Sequence, residues 1–281
     1  VKSKQWLLLA AGIVMVVSLY LFGETVPPKK SSQTLPPVMA GGAAFEQVSF
    51  ESILEKAKGT LSAPQLTRVN ELESEISAAG TGEKIKLYGQ LGETWATTGN
   101  VLVGGKYYAE AAAVSGKKED YEKAADFLYF GFPTTTDSMA RVFGAQQAIE
   151  VFRNLYAIDS SRTDYLIREA VCYIEGLGNV MQGVTILKKV EAKEPDNPEM
   201  NLILGRLAVV SGQFDKAIAR LEKLTQLDAT NAEAYYHLAE AYQAVGKNEE
   251  AVKSLEACRR LVNDPAFAAQ IDQYIQQIKK P

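Results

Sequence analysis

Apolar residues recur along this chain at helical spacing, nested inside a longer period. Leu66, Val69, Leu72 and Ile76 form one set, and Phe267, Ile271, Tyr274 and Ile278 another. Steps of three and four residues place each set on one face of a helix. The longer period is 34 residues, clearest from Asp164 to Pro265. Aligning Val171, Gly205 and Ala239 brings Gly178, Gly212 and Gly246 into one column and Gly183, Ala217 and Ala251 into the next. Leu187, Leu221 and Leu255 follow, then Val190, Leu224 and Cys258. The pattern predicts paired helices that cross closely at the small residues. The first helix of each pair ends in a left-handed glycine cap. Pro195 comes after a second helix and cannot continue it. One such pair cannot bury its own apolar stripe, so the pairs must stack.

The register extends both ways. Tyr88, Leu91, Gly92, Trp95 and Gly99 fit a first helix, with Tyr108 and Ala111 on its second. Tyr121, Ala124, Ala125 and Leu128 fit the next first helix, and Ala148, Phe152 and Leu155 its partner. That unit, 118–163, is 12 residues longer than the others, and the excess is expected to lengthen the turn around Gly131–Ser138. Thr136, Asp137 or Ser138 is the expected helix cap there. The expected organisation is a helical pair over 45–82, acting as a degenerate repeat or, preferably, a cap. Five repeats follow at about 85–117, 118–163, 164–197, 198–231 and 232–265, then a closing helix over 266–281. Gly80-Thr81-Gly82 is expected to break the chain before the first repeat.

Two antiparallel helices in 34 residues, with small residues at the crossing, resemble the tetratricopeptide repeat. Leu204, Gly205, Gly212, Phe214, Ala217, Leu221 and Leu224 carry the resemblance, as do Tyr235, Leu238, Ala239, Tyr242, Gly246, Ala251 and Leu255. The segment from Ala170 to Pro195 follows more loosely. The resemblance implies an all-α, right-handed solenoid whose groove is lined by the first helix of each repeat.

In that family the second, fifth, sixth, ninth, twelfth and thirteenth positions of a unit face the groove. Here these are Tyr165, Arg168, Glu169, Cys172, Glu175 and Gly176, then Glu199, Leu202, Ile203, Arg206, Val209 and Val210, then Glu233, Tyr236, His237, Glu240, Gln243 and Ala244. Arg168, Cys172, Leu202, Arg206, Val209, Tyr236, His237 and Glu240 are the candidate protein-binding residues. The Lys and Asn set with which some members hold a C-terminal carboxylate is missing, so that mode is not implied. The mixture implies a peptide partner with some acidic character. Arg206 is expected to be a surface residue whose reversal leaves stability nearly unchanged.

Trp6–Phe22 is a run of 17 residues without charge, about 25 Å as a helix. It is expected to be a membrane anchor within 1–26. Leu21-Phe22-Gly23-Glu24 lacks the small residues that a signal-peptide cleavage site needs. Lys2 and Lys4 place the short N-terminus in the cytoplasm, although Lys29 and Lys30 beyond the run oppose this. Val1 reads either as a literal GTG start, which points to a bacterial source, or as a trimmed end. With the apolar run and Lys2 and Lys4, the expectation is a bacterial, single-pass protein of the inner membrane with its repeats on the periplasmic side. Residues 27–44, rich in Pro, Gly, Ser and Ala, are expected to be a flexible linker.

The net charge of −4 combines +3 over residues 1–44 with −7 over the rest. An acidic folded part makes nucleic acid an unexpected partner. Cys172 and Cys258 form no metal-like cluster and read as two small semi-buried thiols, with a structural disulfide as the alternative. There is one histidine, His237, and no phosphate loop, HExxH or GxSxG. Expected, therefore, are no enzyme activity, no cofactor, no metal and no small-molecule substrate. The leading expectation is a membrane-anchored scaffold that binds other proteins. The alternative is an accessory or assembly subunit of a membrane complex, its anchor packing there through Ala10, Ala11 and Gly12.

Overall fold

The computed structural model describes residues 48–280. The expected anchor Trp6–Phe22 and the linker 27–44 lie outside the described residues. Among those described, no helix is long and apolar enough to cross a membrane. The described elements are helical: α1 (Phe50–Lys58), α2 (Ala63–Ala78), α3 (Thr81–Thr97), α4 (Val101–Ser115), α5 (Lys118–Gly131), α6 (Ser138–Ile158), α7 (Asp164–Val171), α8 (Val180–Lys193), α9 (Pro198–Val210), α10 (Phe214–Leu227), α11 (Ala232–Ala244), α12 (Asn248–Leu261) and α13 (Pro265–Lys279). From α3 to α12 they stack as five successive pairs, forming an all-helical solenoid.

The helix ends follow from local chemistry. Asn197 and Asn231 occupy the same place in successive repeats. Their side chains accept from Met200 N at 3.0 Å and Ala234 N at 2.9 Å, satisfying amides that the first turn leaves free. Of the three candidate caps for α6, Asp137 serves, accepting from Met139 N at 2.9 Å. Asp264 caps α13 in the same way. At the first-helix ends, Gly212 and Gly246 have φ of 73° and 78°. The next residue's amide then bonds five residues back, Gln213 N to Ala208 O at 2.8 Å and Lys247 N to Tyr242 O at 2.9 Å.

The columns are contacts within a repeat. A Cβ added at Gly205 would lie 2.7 Å from Leu221, and one at Gly92 would lie 2.7 Å from Tyr108. Ala217, Leu221, Leu224, Ala251, Leu255 and Cys258 are completely buried. In the long repeat, so are Ala148, Phe152 and Leu155.

Four expectations are corrected. First, the 12 extra residues of repeat 118–163 do not mainly lengthen its turn. α6 has 21 residues where α10 has 14, so seven of the twelve form two added turns of helix. The turn gains only three, wound as a 3₁₀ turn over Phe132–Thr134 that buries Phe132. Second, the break expected at Gly80-Thr81-Gly82 is narrower: only Ala79 and Gly80 separate α2 from α3, Gly80 is the extended N-cap, and Thr81 and Gly82 already belong to α3. Third, α1 is not paired with α2 alone: Lys58 bonds Glu73 of α2 at 2.7 Å, but the helix also reaches past it. Phe50 lies against Tyr107 of α4 and Phe143 of α6, with ring centroids 5.6 and 5.7 Å away. Lys56 pairs with Asp137 at the start of α6. α1 therefore lies across two second helices.

The fourth correction concerns register. Val171 is only half-buried, whereas its neighbour Ala170 is fully buried. A Cβ on Gly183 would meet Ala170 O at 2.9 Å, as one on Gly104 would meet Gly92 O at 2.7 Å. Ala170, not Val171, thus holds the crossing place. The extra residue is absorbed by a π turn over Cys172–Gly176, where Leu177 N bonds Cys172 O at 3.1 Å. Asn179 N consequently reaches back six residues to Tyr173 O at 2.7 Å, one more than in the regular repeats.

Candidate functional site

The first helices α7, α9 and α11 and the π turn carry a line of opposed charges. Arg206 of α9 donates to Glu175 Oε1 at 2.6 Å and lies 3.7 Å from Glu233 of α11. Glu233 lies 3.6 Å from His237 Nε2, and His237 Nδ1 is 2.7 Å from Glu240 Oε2. Three repeats are thereby linked through alternating signs. At the far end Tyr236 packs edge-on to His237 and against Phe267 and Tyr274 of α13. At the near end the Arg168 guanidinium sits 5.6 Å from the Tyr129 ring of α5 and acts electrostatically on Glu199.

Burial alone would lower the pKa of His237. The carboxylates of Glu233 and Glu240 outweigh it and raise the value to about 9. His237 therefore carries its proton at neutral pH and is not a general base there. Its ordinary value is about 6.5, so its contribution to stability is complete below that and lost as pH rises through about 9. Urea unfolding should show a loss of about 1 kcal/mol between pH 6.5 and 9.5 relative to His237→Gln, the amount limited by the exposure of Glu233. Equal pH dependence in the two proteins would contradict the pairing.

The eight candidate residues do not stay together as a set. Leu202, Arg206, Val209, Tyr236, His237 and Glu240 are half-buried on the first-helix face, and Arg168 is half-buried over Tyr129. Cys172 is the correction. It is completely buried against the core around Ala148 and Leu177, a free thiol pushed up in pKa by burial, and it presents nothing to a ligand. Tyr165, Glu169, Gly176 and Ile203, also assigned to groove columns, are buried too. Glu169 instead pairs with Arg153 at 2.8 Å. Cys258 is likewise a buried free thiol. Among the described residues no three His, Cys, Asp or Glu side chains are grouped to hold a metal ion.

Two further expectations change. Arg206 and His237 are not free cations awaiting an acidic peptide, because their charges are met by Glu175, Glu233 and Glu240. Nor is Arg206 expected to be neutral for stability, since it lies between two carboxylates. Arg206→Glu would place a third carboxylate between Glu175 and Glu233, with an expected cost of about 1 kcal/mol at low salt that shrinks at high salt. Melting curves at 0.05 and 1 M NaCl check this, and a salt-independent loss would count against it.

The columns also contain residues not singled out from the sequence. Asp126, Tyr129 and Phe130 of α5 occupy the ninth, twelfth and thirteenth places of their repeat. Phe130 is 60% exposed and Val210, in the thirteenth place of α9, is 59% exposed. The signal was present in the 34-residue register, two repeats before Arg206.

Two family models match the C-terminal part of this array. One described as "TPR repeat" covers residues 205–246, and one described as "Tetratricopeptide repeat" covers residues 232–261. No curated protein matches the chain. Among solved structures, a crystal structure of MamA protein is 17% identical, with 71% of this chain and 98% of that one covered and a TM-score of 0.48. Residues 41 to the end of MamA from Desulfovibrio magneticus RS-1 are 18% identical, covering 65% and 97%, also at 0.48. YrrB, described as a TPR protein with an unusual peptide-binding site, is 14% identical, covering 72% and 97%, at 0.47. The stretch from Gly205 to Leu261, running from within α9 to the end of α12, consists of tetratricopeptide repeats.

Proposed function

We propose that the protein is a non-catalytic scaffold that captures segments of other proteins on the first-helix face of its array. Trp6–Phe22 would hold it in the cytoplasmic membrane, with the array on the extracytoplasmic side. The supporting observation is the charged line Glu175–Arg206–Glu233–His237–Glu240. It ties three repeats into one preorganised surface, and Val210 beside it is exposed. Preorganisation lowers the ordering cost that a binding partner must meet. Tethering raises the local concentration of whatever is bound.

A photo-crosslinking amino acid placed at Val210, and separately at the exposed Lys253 of α12, tests the reading in native membranes. Discrete adducts are expected from position 210 and not from 253. Adducts from 253 alone would move the binding face to the second helices. Adducts formed only by probes within Trp6–Phe22 would favour the accessory-subunit alternative.

A further inference from the structure

We infer that the segment captured on this face is a basic and apolar one: an extended stretch with two large apolar side chains about six residues apart and a lysine or arginine beside the first. The inference rests on the binding reading above and adds the chemistry of the partner.

The first observation is that the cations of the face are already used. Arg206 lies between Glu175 and Glu233, and His237 between Glu233 and Glu240. Arg168 lies over Tyr129 within the field of Glu199. Counting His237 as protonated, these three cations stand against the four carboxylates Glu175, Glu199, Glu233 and Glu240, and on α5 the same columns set Lys123, 4.0 Å over the Tyr108 ring, against Glu119, Glu122 and Asp126. Asp126, one helical turn before Phe130 on α5, is exposed and has no ion pair among the described residues. The surplus is negative, and a like-charged segment would be repelled along the whole line.

The second observation is apolar. Phe130 and Val210 hold the same place at the ends of α5 and α9, and both are more than half exposed. The intervening repeat has Gly176 at that place, at the end of the π turn, buried and without a side chain. Phe130 and Val210 are therefore two separate contact points across two helix spacings, roughly 20 Å at ~10 Å each. An extended chain covers that in about six residues at ~3.3 Å per residue. Asp126 supplies the counter-charge next to the first contact point.

A random 12-residue phage library panned on the purified protein tests this. Enriched peptides, resynthesised with a fluorescent label, are expected to be net positive with two large apolar residues five to seven apart. Their affinity should fall at least tenfold in 0.5 M NaCl and at least fivefold in each of Asp126→Lys, Phe130→Ser and Val210→Ser. All three positions are exposed, so these variants keep the fold. Acidic peptides that lose affinity in Phe130→Ser or Val210→Ser would overturn the partner chemistry and leave the binding face standing. Peptides indifferent to all three variants and to Tyr236→Ala would overturn both, as would a library with no enrichment.

Discussion

Gly176→Ala is expected to cost roughly 3 kcal/mol, at the top of the range for adding one methyl to a packed crossing. The Cβ would lie 2.2 Å from Ala145 Cβ and 3.3 Å from Phe132 Cε2. Ala145 is completely buried on α6, and a Cβ cannot rotate away, so helix and π turn must separate. The same contact explains why the long repeat and its neighbour meet as they do. The buried Phe132 of the 3₁₀ turn and Ala145 of α6 form the seat into which the end of the π turn fits. Glu175 precedes that glycine, so displacement of the turn also moves the carboxylate that Arg206 holds at 2.6 Å. Equilibrium unfolding in urea measures the loss, and Ala145→Gly in the same chain should restore most of it. A Gly176→Ala protein as stable as the parent would show that the two elements do not touch.

What could be read from the sequence, and what could not, divides along contact range. The columns Gly205–Leu221 and Gly92–Tyr108 are visible because each contact lies inside one unit and recurs at a fixed offset of 16 residues. Helix caps are visible for the same reason, as Asn197, Asn231 and Asp264 act on amides two or three residues away. The ion pairs of the first-helix face are of another kind. Arg206 and Glu175 are 31 residues apart, and the pair depends on how one repeat settles on the next. No column records it, because the ninth and twelfth places hold different residues in each unit.

The slip at Ala170 was hidden for a different reason. A π turn takes up one residue between the crossing and the glycine cap, so the caps Gly178 and Gly212 stay 34 apart while the crossings do not. Cys172 was misplaced on the groove by that same residue. The face keeps its shape through these departures, since the half-buried Arg206, His237 and Glu240 remain aligned across α9 and α11. On the proposed reading, binding would rest on places that the repeat leaves free to vary: Asp126, Arg206 and Glu240 in the ninth place and the exposed Phe130 and Val210 in the thirteenth.

Gly104→Ala should lower stability by roughly 2 to 3 kcal/mol, while Gly89→Ala, in the facing helix of the same repeat, should raise it by up to about 1 kcal/mol. Both glycines lie inside helices with ordinary dihedrals, so alanine is conformationally allowed at each. They differ in what surrounds them. A Cβ at 104 would approach Gly92 O to 2.7 Å and Ala96 N to 3.1 Å, both backbone atoms of α3 that no rotamer change can move. A Cβ at 89 would meet nothing within 4 Å, and alanine there brings only its better helix propensity. Because each repeat contacts only its neighbours, the damage from Gly104→Ala should be local. Hydrogen exchange would then quicken in α3 and α4, while α11 and α12 keep the protection they have in the parent. Equal effects at the two glycines would mean that α3 and α4 do not cross at Gly92 and Gly104. A loss spread evenly to α12 would mean that the array unfolds as one unit and not as a stack.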